Sequence, residues 1–367
     1  MNQQENIDAL SYDTFAASVQ RSKALEEDIQ KNPKRHRVLT GDRPTGDLHI
    51  GHLFGSLLNR VRIAEMGVDT FIVIADYQVL TDRDVFERIS ECTVNLAVDY
   101  IAAGLNPDSG NVFIFPHSCV PELNQLLLPF LNLVSIPELE RNPTVKEEIE
   151  AAKMARMNAG MFTYPVHQAA DILFCKATAI PVGKDQLPHI ELTRTIARRF
   201  NAKYGQEKPV FPEPQGLLSP SPTILGLDGG KKMSKSRNNS VTLKASEAET
   251  AKAIKTATTD SERLITYEPE RRPQVANLLE IASYASGVAP EKIAKDIGNG
   301  GAGKLKEYLT EHLNAFLRPL RTRRADLEKD MGYVRRSLDK GIERARAVGS
   351  DTLKEVRAAM NMYQCGG

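Results

Sequence analysis

The run Thr70-Phe71-Ile72-Val73-Ile74-Ala75 limits the folds open to this chain more than any other stretch. It is far shorter than the roughly 20 residues a helix needs to cross a bilayer. Its β-branched and aromatic side chains show no polar alternation, which suits a strand buried on both faces. A strand of that kind belongs to a parallel sheet covered by helices, so strand and helix should alternate around it. They do. Residues 37–40 read as a short strand, followed by a Gly/Pro turn over 41–46 and a helix over 52–66 that stops at Gly67. Beyond the run, 84–103 reads as helix closed by Gly104, 112–115 as strand, and 121–134, 144–158 and 164–174 as helix. A fourth strand follows at 179–182 and a helix at 187–200.

After residue 240 the strand pattern stops, and 245–257, 273–286, 290–298, 303–328 and 333–362 all read as helix. The expected architecture is α/β: a doubly wound, Rossmann-like parallel-sheet domain over 36–240, then an all-helical domain over 241–367. The last helix is a candidate to pack back on the α/β domain. Residues 1–35 form an extension, helical over 7–31, whose role is unreadable.

Composition excludes more than it assigns. A chain of 367 residues with 41% hydrophobic content can bury a real core. It has no apolar run of membrane-spanning length, and Met1 to Asn6 is polar, unlike a signal sequence, so a cytoplasmic location is expected. The four cysteines are scattered without a Cys-x-x-Cys pair, which argues against a zinc site or a disulfide framework. A net charge of +1 means that any face for nucleic acid must be local.

Two segments carry chemistry. The first is Arg43-Pro44-Thr45-Gly46-Asp47-Leu48-His49-Ile50-Gly51-His52, where strand passes into helix. A helix N-terminus offers free N–H groups and a positive dipole end, which suits phosphate. His49 and His52 stand three apart and can face one ligand. The second is Lys231-Lys232-Met233-Ser234-Lys235-Ser236 after Asp228-Gly229-Gly230. Two lysines three apart, with hydroxyls between, can neutralise a polyphosphate on a loop that closes. Alone, the first is as readily a turn with two surface histidines, and the second a solvated loop.

As a pair, in this order and at the two ends of one α/β domain, the segments resemble the paired motifs of class I aminoacyl-tRNA synthetases. The middle of the chain, with Tyr164-Pro165, Gln168-Ala169-Ala170-Asp171, Pro181-Val182-Gly183-Lys184-Asp185-Gln186 and His189-Ile190-Glu191-Leu192-Thr193-Arg194, is similar to the tryptophan/tyrosine subgroup. The last of these stretches, Glu138-Leu139-Glu140-Arg141 and Thr259-Asp260-Ser261 lean to the tryptophan enzymes. The resemblance runs from about residue 37 to about 362.

It implies roles by position. His49, His52, Lys232 and Lys235 would be catalytic. Gly41, Arg43, Gly51, His52, Asp185, Lys232, Ser234 and Lys235 would surround ATP and its Mg²⁺. Asp171 would accept the ring N–H, Tyr164 and Gln186 would hold the α-amino group, and Gln168, Ile180 and Val182 would complete the amino-acid pocket. A buried carboxylate aimed at a ring N–H rejects a ring lacking one, because the unpaired carboxylate is costly. For Ile180 and Val182 plain strand core is nearly as good a reading. The implied partners are L-tryptophan, ATP and tRNA(Trp), with a homodimer as the assembly and no membrane.

The sequence also departs from the common bacterial pattern. Lys184 stands where an acid is usual, Arg43 replaces a neutral polar residue, and Gln168 replaces methionine. Asp76-Tyr77-Gln78 replaces a segment that usually carries histidine, and Lys146 is paired with Glu148 instead of a second lysine. Alternatives are a tyrosine-specific enzyme, another nucleotidyl transferase, and a non-catalytic RNA-binding paralogue. In the helical part, Arg318, Arg321, Arg323 and Arg324, and Arg335, Arg336, Lys340, Arg344 and Arg346, are candidates to meet the anticodon, against a solvated helix face as the plainer reading.

Overall fold

The computed structural model describes residues 3–80 (backbone alone for 3–16), 87–142, 158–183, 186–205, 208–218, 224–230, 233 and 239–363. Its centre is a parallel five-stranded sheet in the order β3-β2-β1-β4-β5. The strands are β1 (Arg37–Asp42), β2 (Asp69–Ile74), β3 (Val112–Pro116), β4 (Ala179–Val182) and β5 (Gln215–Leu218). The order runs outward from β1 in both directions, so the winding reverses between β1 and β4. Ligands of such sheets bind outside the carboxyl ends of the strands at that reversal.

The apolar run is the inner strand β2. Phe71 and Val73 join one core cluster with Leu39 and Phe115, while Ile72 and Ile74 join the other with Val112 and Ile114. Successive side chains feed opposite faces, and both faces are covered, which is why the run carries no polar alternation.

β5 was not expected. Only Leu217 of Gln215-Gly216-Leu217-Leu218 is buried, so the segment has no strand pattern of its own. It forms because β4 offers a partner edge, with Ile180 opposite Gly216. The helix Gln3–Lys31 then lies along it. Ser22 Oγ accepts the Leu218 N–H at 2.9 Å, and Leu25 and Ile29 cluster with Leu217, Val38 and Ala179. The N-terminal helix therefore covers one sheet edge, which would otherwise stand bare.

The helix Met331–Ala359 covers the opposite edge at β3. A Cβ on Gly341 would fall 2.0 Å from the Ile114 carbonyl oxygen, so only glycine permits this approach. Val334 and Leu338 enter one core cluster, and Ala345, Leu353 and Val356 the other.

The helices Glu247–Lys255, Pro273–Ser286, Pro290–Ile297 and Gly301–Lys329 lie close to their expected spans. Leu278, Leu279, Leu309 and Leu313 belong to the same cluster as Ile72 and Ile114. The change of pattern at 240 is thus not a break in packing. The expected helix over 144–158 lies, but for residue 158, outside the described residues.

The first arginine group is bonded to its surroundings, with Arg324 buried and Arg318 and Arg323 exposed. Arg324 is paired with buried Asp99, and Arg323 Nε donates to the Ala102 carbonyl at 2.6 Å. Arg321 binds Asn314 and Thr250, and Arg318 binds Glu247. These side chains tie the long helix to its neighbours. In the second group, Lys340 meets Asp108 and Arg346 meets Glu122 in the same manner.

Candidate active site

The turn after β1 forms the first wall of the crevice. Its start is clamped. Arg60 donates to Asp42 at 2.5 and 3.2 Å, and the Tyr100 hydroxyl donates at 2.7 Å. Burial resists the charge on Asp42, but Arg60 outweighs it and holds the carboxyl well below its ordinary range. Gly41 pairs with Val73 and Asp42 with Ile74, so Arg43 follows directly from the sheet.

His49 and His52 are hydrogen-bonded to one another. The His52 N–H donates to the His49 carbonyl at 2.8 Å, and His52 Nδ1 accepts the His49 N–H at 3.3 Å. The His52 imidazole thus takes the place of the carboxylate that usually reaches back to the first residue of a helix. The ring centroids lie 3.8 Å apart. A neutral His52 whose Nδ1 accepts must carry its proton on Nε2, where it can donate to a ligand. His49 is 4% exposed, so it is a core side chain at the edge of the site rather than a surface histidine.

The segment that follows the lysine motif adjoins the histidines. Residues 241–243 run antiparallel to 48–50: Ile50 N–H donates to Val241 O and Leu243 N–H to Leu48 O, each at 2.9 Å. Lys232, Ser234 and Lys235 lie outside the described residues, as do Lys184 and Asp185. Met233 is described and is 3% exposed. A Cβ on Gly51 would stand 2.9 Å from the His49 ring and 3.5 Å from Met233 Cβ. Beyond the motif, Asn239 accepts the Leu227 N–H at 2.9 Å and donates to Asp228 at 3.0 Å. Met233 and the segment from Asn239 to Leu243 are therefore anchored beside the histidine turn.

The helix Ala159–Leu173 supplies the second wall. Asn158 caps it, accepting the Met161 N–H at 2.7 Å. Tyr164, Gln168 and Asp171 are spaced by four and three residues and so share one helix face. The Tyr164 hydroxyl contacts His189 Nε2 at 3.1 Å. Asp171 is 2% exposed, so the alternative of a helix-surface charge does not hold. Ile180 is buried in the same cluster as Ala169, Ala170 and Phe174, and Val182 packs against it, which makes both part of the core. Gln186 opens the helix Leu187–Tyr204, and its N–H closes a turn on Gly183.

Two residues absent from the sequence reading, His117 and His167, stand against Asp171. His117 Nδ1 stands 3.1 Å from Asp171 Oδ1. Its Nε2 accepts the Tyr77 N–H at 2.9 Å and lies 3.3 Å from Asp76 Oδ1. Burial disfavours the imidazolium, but Asp171 and then Asp76 outweigh it, and the His117 pKa is raised. His167 Nδ1 faces Asp171 Oδ2 at 3.9 Å, and burial lowers its pKa despite that carboxylate. Gln78, from the segment 76–78, also reaches Asp171, with Nε2 3.4 Å from Oδ2. A usable signal was the place of His117, directly after β3 at the carboxyl edge of the sheet.

His117, His167 and Asp171 bring their donor atoms within 4.8 Å of one another, a spacing open to a metal ion. A metal on His117 Nδ1 would move that ring's proton to Nε2, which would then face the Tyr77 N–H. Asp76 Oδ1, 3.3 Å from Nε2, can accept that proton, so the ring's surroundings admit either a cation or an N–H donor.

The chain matches the model of the family described as tRNA synthetases class I (W and Y) over residues 31–318. The tryptophan--tRNA ligase of Treponema pallidum (strain Nichols) is 40% identical over 332 residues, covering 89% of this chain and 97% of that relative. The tryptophan--tRNA ligase of Clostridium longisporum is 42% identical over 335 residues, with coverage of 89% and 96%. Among solved structures, the tryptophanyl-tRNA synthetase of Campylobacter jejuni complexed with ADP and tryptophan superposes with a TM-score of 0.76 at 29% identity, covering 89% of this chain and all of that one.

Proposed function

The chain belongs to the class I tRNA synthetases of the tryptophan and tyrosine group, and from this premise we propose that it activates L-tryptophan with ATP and transfers it to tRNA(Trp). The observation that carries the proposal is the junction of the two motifs. The histidine segment and the residues flanking the lysine segment are hydrogen-bonded across Ile50 and Val241. That brings phosphate-binding chemistry to the reversal point of the sheet, within one domain of the pocket around Asp171.

The substrate carboxylate attacks the α-phosphorus and pyrophosphate leaves; the terminal ribose hydroxyl of tRNA then attacks the carbonyl carbon of the aminoacyl-adenylate, losing its proton as AMP departs. The protein positions the groups and stabilises charge. His52 Nε2–H and His49 serve the transferring phosphoryl group. Lys232, Ser234 and Lys235 serve the departing pyrophosphate, together with the Mg²⁺ that enters with ATP. Gly41, Arg43, Gly51 and Asp185 line the nucleotide. Tyr164 and Gln186 hold the α-amino group, Asp171 takes the ring N–H, and Gln168, Ile180 and Val182 complete the amino-acid pocket.

A homodimer in the cytoplasm completes the reading. Leu128, on the helix Leu127–Leu131, and Ile136, on the helix Ile136–Glu140, are 70% and 64% exposed, which suits a surface that a second copy covers. Light scattering of wild type and Leu128→Asp tests it, and a monomeric wild type overturns it. The test of function is pyrophosphate exchange with a panel of amino acids, followed by charging of tRNA. Tryptophan alone should support both. Exchange with tyrosine instead, or with neither, overturns the proposal.

A further inference from the structure

We propose that His117 is a positioning residue for ring recognition: it occupies one oxygen of Asp171 and so presents the other to a single ring N–H. The proposal rests on the reading of Asp171 given above. His117 Nδ1 stands 3.1 Å from Asp171 Oδ1, and the proton belongs on that nitrogen because two facing acceptors would repel; the Tyr77 N–H reaches Nε2 at 2.9 Å, with Asp76 Oδ1 at 3.3 Å ready to take a second ring proton. With a protonated ring the same bond is made, charge-assisted. In either state Oδ1 is filled and the carboxylate plane is fixed.

Oδ2 has a different setting. Gln78 Nε2 reaches it only at 3.4 Å, a long contact that a better-placed donor displaces. His167 is the other neighbour. Its Nε2 lies 2.7 Å from the Asn124 carbonyl oxygen, which places its proton there and leaves Nδ1 an acceptor, 3.9 Å from Oδ2. Two acceptors so arranged both call for a donor, and an aromatic ring N–H supplies one. The cluster is anchored from three directions. Asp76 binds the Ser118 N–H at 3.1 Å and the Ser118 hydroxyl, Tyr77 lies over the His117 ring at 5.3 Å, and Asp171 sits on a capped helix.

The test compares tryptophan with its benzothiophene analogue, in which sulfur replaces the ring N–H. Pyrophosphate exchange is measured for both with wild type, Asp171→Asn, His117→Leu and His117→Gln. His117→Leu should reduce the preference for tryptophan about tenfold, through KM for tryptophan, while the KM for ATP and the kcat/KM of the analogue stay near wild type. His117→Gln keeps an N–H donor and should recover part of the preference, which also guards against a folding defect in the leucine variant. Equal loss for both substrates in both variants, or an unchanged preference in His117→Leu beside a lost one in Asp171→Asn, overturns the role of His117. An unchanged preference in Asp171→Asn overturns instead the reading of Asp171 on which it rests.

Discussion

Arg324, on the helix Gly301–Lys329, forms a buried ion pair with Asp99, whose other oxygen accepts the N–H of Leu48, the residue before His49. The helical part of the chain thus holds the histidine turn through one carboxylate. Arg324→Leu removes the guanidinium that balances the buried charge of Asp99, and should cost about 3–5 kcal/mol of stability. It should also lower kcat for pyrophosphate exchange about ten- to hundredfold by loosening the turn. Denaturant titration and exchange kinetics read both effects, and wild-type values in both would disprove the coupling.

The clamp on Asp42 predicts an acid dependence. Its carboxyl titrates below the ordinary 3.8, so the clamp stabilises fully above that pH and is lost as pH falls through the lower folded value. Asp42→Asn should therefore cost about 3 kcal/mol at pH near 6. The gap from wild type should close as the pH drops below 3.8. Urea midpoints across that range check the sign. A gap that widens in acid contradicts it.

Lys232→Ala and Lys235→Ala should each lower kcat for activation by about 10²–10³ with little change in the KM for tryptophan. Each lysine acts on charge that builds on the leaving group, so its loss falls on the transition state. Unchanged kcat in both variants would remove the motif from the mechanism.

Met233 ties the same motif to Gly51. Met233→Ala empties a buried site and should cost about 2–5 kcal/mol. If Met233 also sets the position of its lysines, kcat should drop while the KM for ATP rises. A stability loss with normal kinetics would make it core and nothing more.

The inner strands and the long helices were legible because their patterns are local. β2 announces itself by the apolar run Phe71 to Ala75, and the helix Pro273–Ser286 by its period and caps. β5 was not legible, since Gln215-Gly216-Leu217-Leu218 becomes a strand only beside β4 and under the N-terminal helix. The phosphate motifs were legible because their spacing carries the chemistry. The setting of Asp171 was not, because His117 comes from the end of β3 and His167 from the turn before Asp171 on its own helix. Sequence distance hides the first, and an unremarkable i, i+4 spacing hides the second. The arginines misled for a related reason: a cluster of charge along a helix says nothing about which acids, such as Asp99, wait opposite it.

The helix Met331–Ala359 lies across β3 with Gly341 against Ile114. That contact has a consequence for synthesis. As the chain leaves the ribosome, β1 to β5 can pair long before this helix exists. Until it emerges, the outer edge of β3 is a bare strand flanked by Phe113 and Phe115, the kind of template on which nascent chains join one another. The last long helix therefore acts as the closing step of assembly. The yield of native protein should follow how soon it docks, and a chain stalled before residue 331 carries an open edge that only a chaperone or another chain can cover.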